Sequence, residues 1–220
     1  MAISAVIFDF DGVIVDSEQI HVAAWDQAFE KLTGQKIPPS ILESLPGKSS
    51  REITKILVTA TSASFSEQAI LSLKIEILAR PNMIAPLRPD FSECLKIVTS
   101  RNIPWGIASN APTPFIKNNT KFHKIPCKAL IGYQDCTTHK PSPEPFLKCA
   151  SALRIPVSNH PQIVAFDDTP HGVKSAAQAG FLTIGVEGTH KKDVLMTAGA
   201  VATTVRLDHP DVITKLTPMA

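Results

Sequence analysis

The chain has 220 residues, of which 44% are hydrophobic and 19% charged, and it carries a net charge of +2. That length and balance suit one domain or two small ones with a real core, and they exclude a disordered chain. The near-neutral charge argues against a nucleic-acid partner, and none is expected: Lys117, Lys121, Lys124 and Lys128 form only a loose basic stretch, better read as a solvated helix face.

No segment approaches the length of a membrane span, so no membrane partner is expected. Residues 1–8 lack a charged n-region, and Asp9 and Asp11 interrupt the apolar stretch, which argues against a signal peptide. Cys94, Cys127, Cys136 and Cys149 are widely spaced and form no C-x-x-C pair. Such thiols suit a reducing compartment better than a disulfide framework or a zinc site, and a cytoplasmic location is expected.

Residues 2–8 are short, apolar and rich in β-branched side chains, which predicts a strand ending at Asp9, with Gly12 allowing a sharp turn. A carboxylate that ends an apolar strand must be paired, hydrogen-bonded or metal-bound, since burying it alone costs several kcal/mol (~). Two such carboxylates, Asp9 and Asp11, call for a cation; the plainer reading is a surface strand end with two solvated acids. Residues 17–83 then read as consecutive helices with no convincing strand: Ser17 to about Leu32, ended by Gly34; a short piece after Pro38-Pro39; Ser49 to about Thr59; and Glu67 to Ala79. They predict an all-helical insert joined to the rest near Val15-Asp16 and near Asn82–Pro86.

Beyond residue 84, helical and strand-like segments alternate. A helix over 91–101 carries Phe91, Leu95 and Val98 on one face, and Ile103–Ser109 reads as a strand ending in Ser109-Asn110. Pro112 and Pro114 suit the first turn of the next helix. Ala129–Gly132 is a short strand, and a helix follows from about Pro143 to Leu153. Ile163–Phe166 runs into Asp167-Asp168, helix 171–179 closes on Gly180, and Leu182–Val186 is again strand-like. The fold class is α/β, a Rossmann-like parallel sheet with helices on both faces and an inserted all-helical cap domain. In such sheets ligands bind beyond the carboxyl ends of the strands, so Asp9, Ser109 and Asp167-Asp168 should open onto one crevice.

With Lys140-Pro141 these signals form one set. D-F-D-G-V-I-V-D-S at 9–17, S-N-A-P at 109–112, H-K-P-S-P-E-P-F at 139–146 and D-D-T-P-H-G-V-K-S-A-A-Q-A-G at 167–180 follow one another on alternating α/β segments. The arrangement resembles the haloacid dehalogenase superfamily over nearly the whole chain, and in particular its phosphatase and β-phosphoglucomutase branch with a small helical cap. The resemblance implies a core of 1–16 and 84–220 and a cap of 17–83. It implies that Asp9 is a nucleophile forming an aspartyl-phosphate and that Asp11 is the general acid/base. Mg²⁺ would be held by Asp9, the backbone carbonyl of Asp11 and Asp168, with Asp167 helping directly or through water. Ser109, Asn110 and Lys140 would bind the phosphate. Ser109 could equally be a helix N-cap, and Lys140 a plain loop lysine. Asp16 and Ser17 are read as hinge and capping residues, and Gly172 as a close-packing residue.

On the cap, His21 and Trp25 lie four apart on one helix face, matching a His and a Trp of the mutases; the alternative is a polar residue beside a core Trp. Gly47-Lys48-Ser49-Ser50-Arg51-Glu52 matches a cap loop reaching toward the site. In the mutases it reads Gly-Val-Ser-Arg and sets an Arg on a second phosphate, so Arg51 comes one residue late here. Ser49 and Glu52 could form a capping box instead, leaving Lys48 to face the site, and Lys74 is a further basic candidate. The expected function is a Mg²⁺-dependent phosphatase acting on a small phosphorylated metabolite, a sugar or sugar-acid phosphate, as a monomer or weak homodimer. A β-phosphoglucomutase-type phosphomutase is the alternative, and a non-catalytic binding module the third reading.

Overall fold

The computed structural model describes residues 3–60 and 65–209. Strand β1 (Ala5–Phe8) leads through a turn into four helices, α1 (Glu18–Thr33), α2 (Pro39–Leu42), α3 (Ser50–Ala60) and α4 (Glu67–Leu78). The chain then alternates: α5 (Pro89–Ser100), β2 (Trp105–Ala108), α6 (Thr113–Phe122), β3 (Ala129–Ile131), α7 (Glu144–Ala152), β4 (Ile163–Asp167), α8 (Pro170–Gln178), β5 (Leu182–Val186), α9 (Lys192–Thr197) and β6 (Ala202–Thr204). Short 3₁₀ segments cover Tyr133–Asp135 and Val157–Gln162. The six strands form one parallel sheet in the order β3-β2-β1-β4-β5-β6. The element order follows the alternation read from sequence, with α9 and β6 added. The first strand begins at Ala5; Ala2, included in the expected strand, lies outside the described residues.

A parallel sheet must be covered on both faces, and successive strand residues point to opposite sides. On one face, Val6 and Phe8 of β1 join Ile107, Val164, Phe166 and Ile184, covered by Phe91, Cys94 and Val98 of α5. Phe8 stacks on Phe166 with ring centroids 5.2 Å apart and meets Phe91 edge-on at 5.3 Å. On the other face, Ala5 and Ile7 join Ala108, Ile163 and Ala165 beneath Phe146, Cys149 and Ala150 of α7 and Ala176 of α8.

Helices α1–α4 stand between β1 and α5. Helix α1 ends at Gly34, whose φ of 75° is the left-handed conformation that closes helices, its N–H donating to Glu30 O. Ser66 caps α4 by accepting from Ala69 N. Trp25, Phe29, Leu57, Ile70 and Ile77 form an apolar cluster continuous with the α5 side of the sheet through Phe10, Ile14 and Phe115. The outgoing and returning chain segments lie side by side. Val15 bridges Leu87 antiparallel, Asp16 N donates to Pro86 O at 2.8 Å, and Arg88 N donates to Ile14 O at 2.9 Å.

Asn119 of α6, fully buried, fastens the returning segment. Its Oδ1 accepts from Ala85 N at 2.8 Å, and its Nδ2 donates to Met83 O at 3.0 Å and Phe115 O at 2.9 Å. Asn119→Ala strands a buried donor and acceptor, each worth roughly 1–3 kcal/mol, so a loss of about 2–4 kcal/mol is expected in urea titration.

Candidate active site

The acids Asp9, Asp167 and Asp168 and the hydroxyl of Ser109 sit where parallel strands end. Asp9 follows β1, Ser109 follows β2, Asp167 is the last residue of β4, and Asp168 comes next. One carboxylate oxygen from each of Asp9, Asp167 and Asp168 falls within 4.8 Å of the others. Lys140, whose side chain is 4% exposed, lies among them, with Nζ 2.5 Å from Asp9 Oδ1 and 2.7 Å from Asp167 Oδ2. Asp167 has both oxygens engaged, since its Oδ1 also accepts from Thr169 N at 3.0 Å and Thr169 Oγ1 at 2.9 Å. Thr169 in turn caps α8 by accepting from Gly172 N. Asp168 Oδ1 is buried with no hydrogen-bond partner among the described residues.

Two glycines make room for these carboxylates. A Cβ on Gly172 would stand 1.9 Å from Asp167 Oδ2, and one on Gly12, whose φ is +72°, would stand 2.1 Å from Asp168 Oδ2. Gly12 serves the turn expected from sequence, and the fold also brings it against Asp168.

Negative charge exceeds positive charge here, and the proton affinities reflect it. Burial pushes Asp9 up to about 7; Lys140 pulls the other way, while Asp167 and Asp11 add to the rise. Asp168 is raised well above the carboxylate range by burial and then by Asp167, Asp9 and Asp11. Lys140 is held firmly protonated, because Asp167 and Asp9 outweigh its burial. A hard divalent cation fits this set: the donors are all oxygens, and the buried Asp168 Oδ1 has no partner among the described residues.

The Lys140 loop is fixed from several sides. Glu144 accepts from Thr137 N at 2.9 Å, Thr138 N at 2.7 Å and Thr138 Oγ1 at 2.5 Å, and pairs with Lys148. Ser175 Oγ donates to Ser142 O at 2.6 Å. Asn110 accepts from Lys140 N at 3.0 Å and donates to Lys140 O at 3.4 Å, so its exposed side chain is engaged by the loop backbone. Ser109 is buried, and its Oγ accepts from Ala111 N; the N-cap of α6 is Pro112. Glu144 and Thr169 escaped the sequence reading, although each stands at a helix N-terminus, where such residues serve caps and loops.

The helical segment supplies a second group. His21 Nε2 lies 3.0 Å from Asp11 Oδ1, and Ser17 Oγ donates to the same oxygen at 2.5 Å. Burial alone would raise Asp11, but His21, Ser17 and Lys74 outweigh it and hold the carboxyl below its usual value. Trp25 is buried, with the Lys74 ammonium 5.2 Å from its ring centroid. Lys74 is itself buried, and burial brings it down to about 8 against the opposing pull of Asp11. The Lys48 and Arg51 side chains are not brought into this group. Lys48 Nζ donates to Ser44 O, and Arg51 is exposed. Here the capping box prevails: Ser49 N and Oγ donate to Glu52 Oε2 at 2.8 and 2.6 Å, and Glu52 N donates back to Ser49 Oγ at 3.3 Å. Arg51 is exposed at that helix start, and the buried basic side chain of the segment is Lys74.

The profile of the haloacid dehalogenase-like hydrolases matches residues 3–180. The chain belongs to the haloacid dehalogenase-like hydrolases. Within that family, validoxylamine A 7'-phosphate phosphatase of Streptomyces hygroscopicus subsp. limoneus is 28% identical over 212 residues, spanning 92% of this chain and 96% of that protein. The phosphorylated carbohydrates phosphatase of Thermotoga maritima is 26% identical over 205 residues, 90% of this chain and 92% of that one. The crystal structure of β-phosphoglucomutase from Clostridium difficile superposes with a TM-score of 0.68 at 23% identity, covering 97% of this chain and 96% of that one, which shows a common fold.

The close approach of Gly172 to Asp167 can be tested directly. Gly172→Ala should cost about 1–3 kcal/mol in thermal or urea denaturation, as overpacked sites do. Gly188→Ala, where an added Cβ meets nothing within 4 Å, should leave stability unchanged.

Proposed function

We propose that this haloacid dehalogenase-like hydrolase is a Mg²⁺-dependent phosphatase of a small phosphorylated metabolite, a sugar or sugar-acid phosphate, working through an aspartyl-phosphate on Asp9. The observation that carries the reading is the buried set of Asp9, Asp167 and Asp168 around Lys140, with one carboxylate oxygen left unpartnered. Asp9, the Asp11 carbonyl and Asp168 would hold the cation, with Asp167 behind them. When bound, Mg²⁺ screens the repulsion between the carboxylates and an incoming phosphate.

In the first step an Asp9 oxygen forms a bond to phosphorus as the ester P–O bond breaks. Asp11, ionised while His21 and Ser17 hold it, takes up a proton through its His21 contact and passes it to the departing alkoxide. In the second, water attacks the phosphorus, Asp11 takes the water proton, and inorganic phosphate leaves with the Asp9 carboxylate restored. Lys140 and the Ser109 hydroxyl stabilise the equatorial oxygens, and Asn110 keeps the Lys140 backbone in place. His21, touching Asp11, keeps its carboxyl engaged until substrate arrives. Residues 17–83 serve as a cap over the core of 1–16 and 84–220, excluding water and selecting the leaving group. The names of the phosphatase relatives support a carbohydrate-type substrate.

The contact of His21 with Asp11 also suits a phosphomutase, which returns the phosphoryl group to a sugar. Arg51 is the residue such an enzyme would set on a second phosphate; the phosphatase names of the relatives favour hydrolysis.

The test is phosphate release with and without Mg²⁺ across sugar phosphates, sugar-acid phosphates and nucleotides, with β-glucose 1-phosphate followed for conversion to glucose 6-phosphate. Mg²⁺-dependent release from a few related sugar phosphates is expected; isomerisation without release would make the protein a mutase. Asp9→Asn should abolish turnover with an unchanged circular dichroism spectrum, and retained activity would sink the covalent mechanism. Asp168→Ala should raise the Mg²⁺ concentration needed for half-maximal activity or remove activity, and an unaltered metal titration would count against its place in the site.

A further inference from the structure

The turn that carries Asp11 is gripped from two sides. Gly12 N donates to Val15 O at 2.8 Å, and Ile14 N donates to Phe10 O at 2.9 Å, closing the turn on itself. One side of Gly12 abuts the Asp168 carboxylate. At its carbonyl, Arg88 Nη1 donates to Gly12 O at 3.0 Å. The same guanidinium holds Asp90 with Nε at 3.1 Å and Nη2 at 2.8 Å, and Nη2 reaches Val205 O at 3.3 Å. Asp90, only 4% exposed, also accepts from Leu207 N at 2.9 Å.

A charge pair two residues apart at a helix start is ordinarily solvated and contributes little. This one is bidentate and mostly buried, so its geometry is rigid, and the planar guanidinium has a further donor to spend on Gly12. A lysine could not serve Asp90 bidentately and reach Gly12 as well.

We infer that Arg88 is a positioning residue for Asp11: anchored on Asp90, it fixes the Gly12 carbonyl and thereby aligns the neighbouring carboxyl with the departing oxygen of the substrate. The inference rests on Asp11 being the proton donor. Arg88 also lies on the segment returning from the helices, where its own N–H donates to Ile14 O. The Asp11 turn and that segment are therefore one hydrogen-bonded unit.

The test compares kcat/KM for two substrates that differ in their need for an acid. A sugar phosphate releases a poor leaving group that must be protonated, whereas p-nitrophenyl phosphate releases a stable phenolate. Because kcat/KM reports only the steps through phosphoryl transfer to Asp9, the later hydrolysis does not enter. Asp11→Ala serves as the control and should lose about 10²–10⁴-fold on the sugar phosphate and far less on the nitrophenyl ester. Arg88→Lys should show the same asymmetry at smaller size, roughly 10–100-fold against no more than about threefold. Arg88→Met with Asp90→Leu removes the buried pair together, so no charge is stranded, and should show the same asymmetry with a single cooperative urea transition at a somewhat lower midpoint, since Leu207 N loses its acceptor. Equal losses on both substrates in the Arg88 variants, or none, would overturn the inference while leaving Asp11 as the acid. Equal losses in Asp11→Ala would overturn the assignment of Asp11 and the inference with it.

Discussion

One buried ammonium stands against three carboxylates at the carboxyl edge of the sheet, and much of the structure around it exists to keep that arrangement in place. Taking an ion out of water costs several kcal/mol even after relaxation (~), so neither Lys140 nor the acids could stay without close partners. Lys140 satisfies Asp9 and one oxygen of Asp167, Thr169 satisfies the other, and Asp168 is left in need of a cation. Gly12 and Gly172 supply the space, and Glu144, Asn110 and Ser175 hold the loop from which the lysine reaches in.

The backbone explains why these groups meet. β1 and β4 are adjacent and parallel, with Phe8 in register with Phe166, so the residues after them emerge side by side. β2 flanks β1 on the other side and delivers Ser109 to the same edge. Parallel strands buried on both faces leave their carboxyl ends as the place where polar side chains can collect without breaking the core. The helical segment adds His21 and Lys74 from above, through an apolar cluster shared with one sheet face.

Much of this is legible in the sequence, because apolar runs that stop abruptly at Asp, Ser-Asn or Asp-Asp declare both the strand and its end. α9 and β6 are not: six and three residues, with Ala202–Thr204 lacking any apolar run, give too little periodicity to read. The 47–52 loop offers two readings in sequence, and the structure forms the capping box between Ser49 and Glu52. Lys74 was ambiguous because helical spacing says nothing about whether a lysine enters the interior. Glu144, Thr169 and the Arg88–Asp90 pair look like ordinary helix-start residues with partners close in the chain; what the sequence hides is what they brace, such as the Gly12 carbonyl that Arg88 reaches across the fold.

The central place of β1 has a consequence for how the molecule is made. Val6 pairs with Trp105 on one side and Val164 on the other, so the innermost strand is synthesised long before either neighbour. Such distant partners carry the loop-closure cost of non-local contacts and slow the search for the native sheet. While the intervening helices emerge, the apolar Ala-Val-Ile-Phe segment has no edge to join, and an unpaired apolar strand is a site of mispairing. The helices that follow it can gather their own apolar side chains in the meantime, but the sheet can be sealed only once β4 has arrived. Assembly of the site is therefore a late event in the life of the nascent chain.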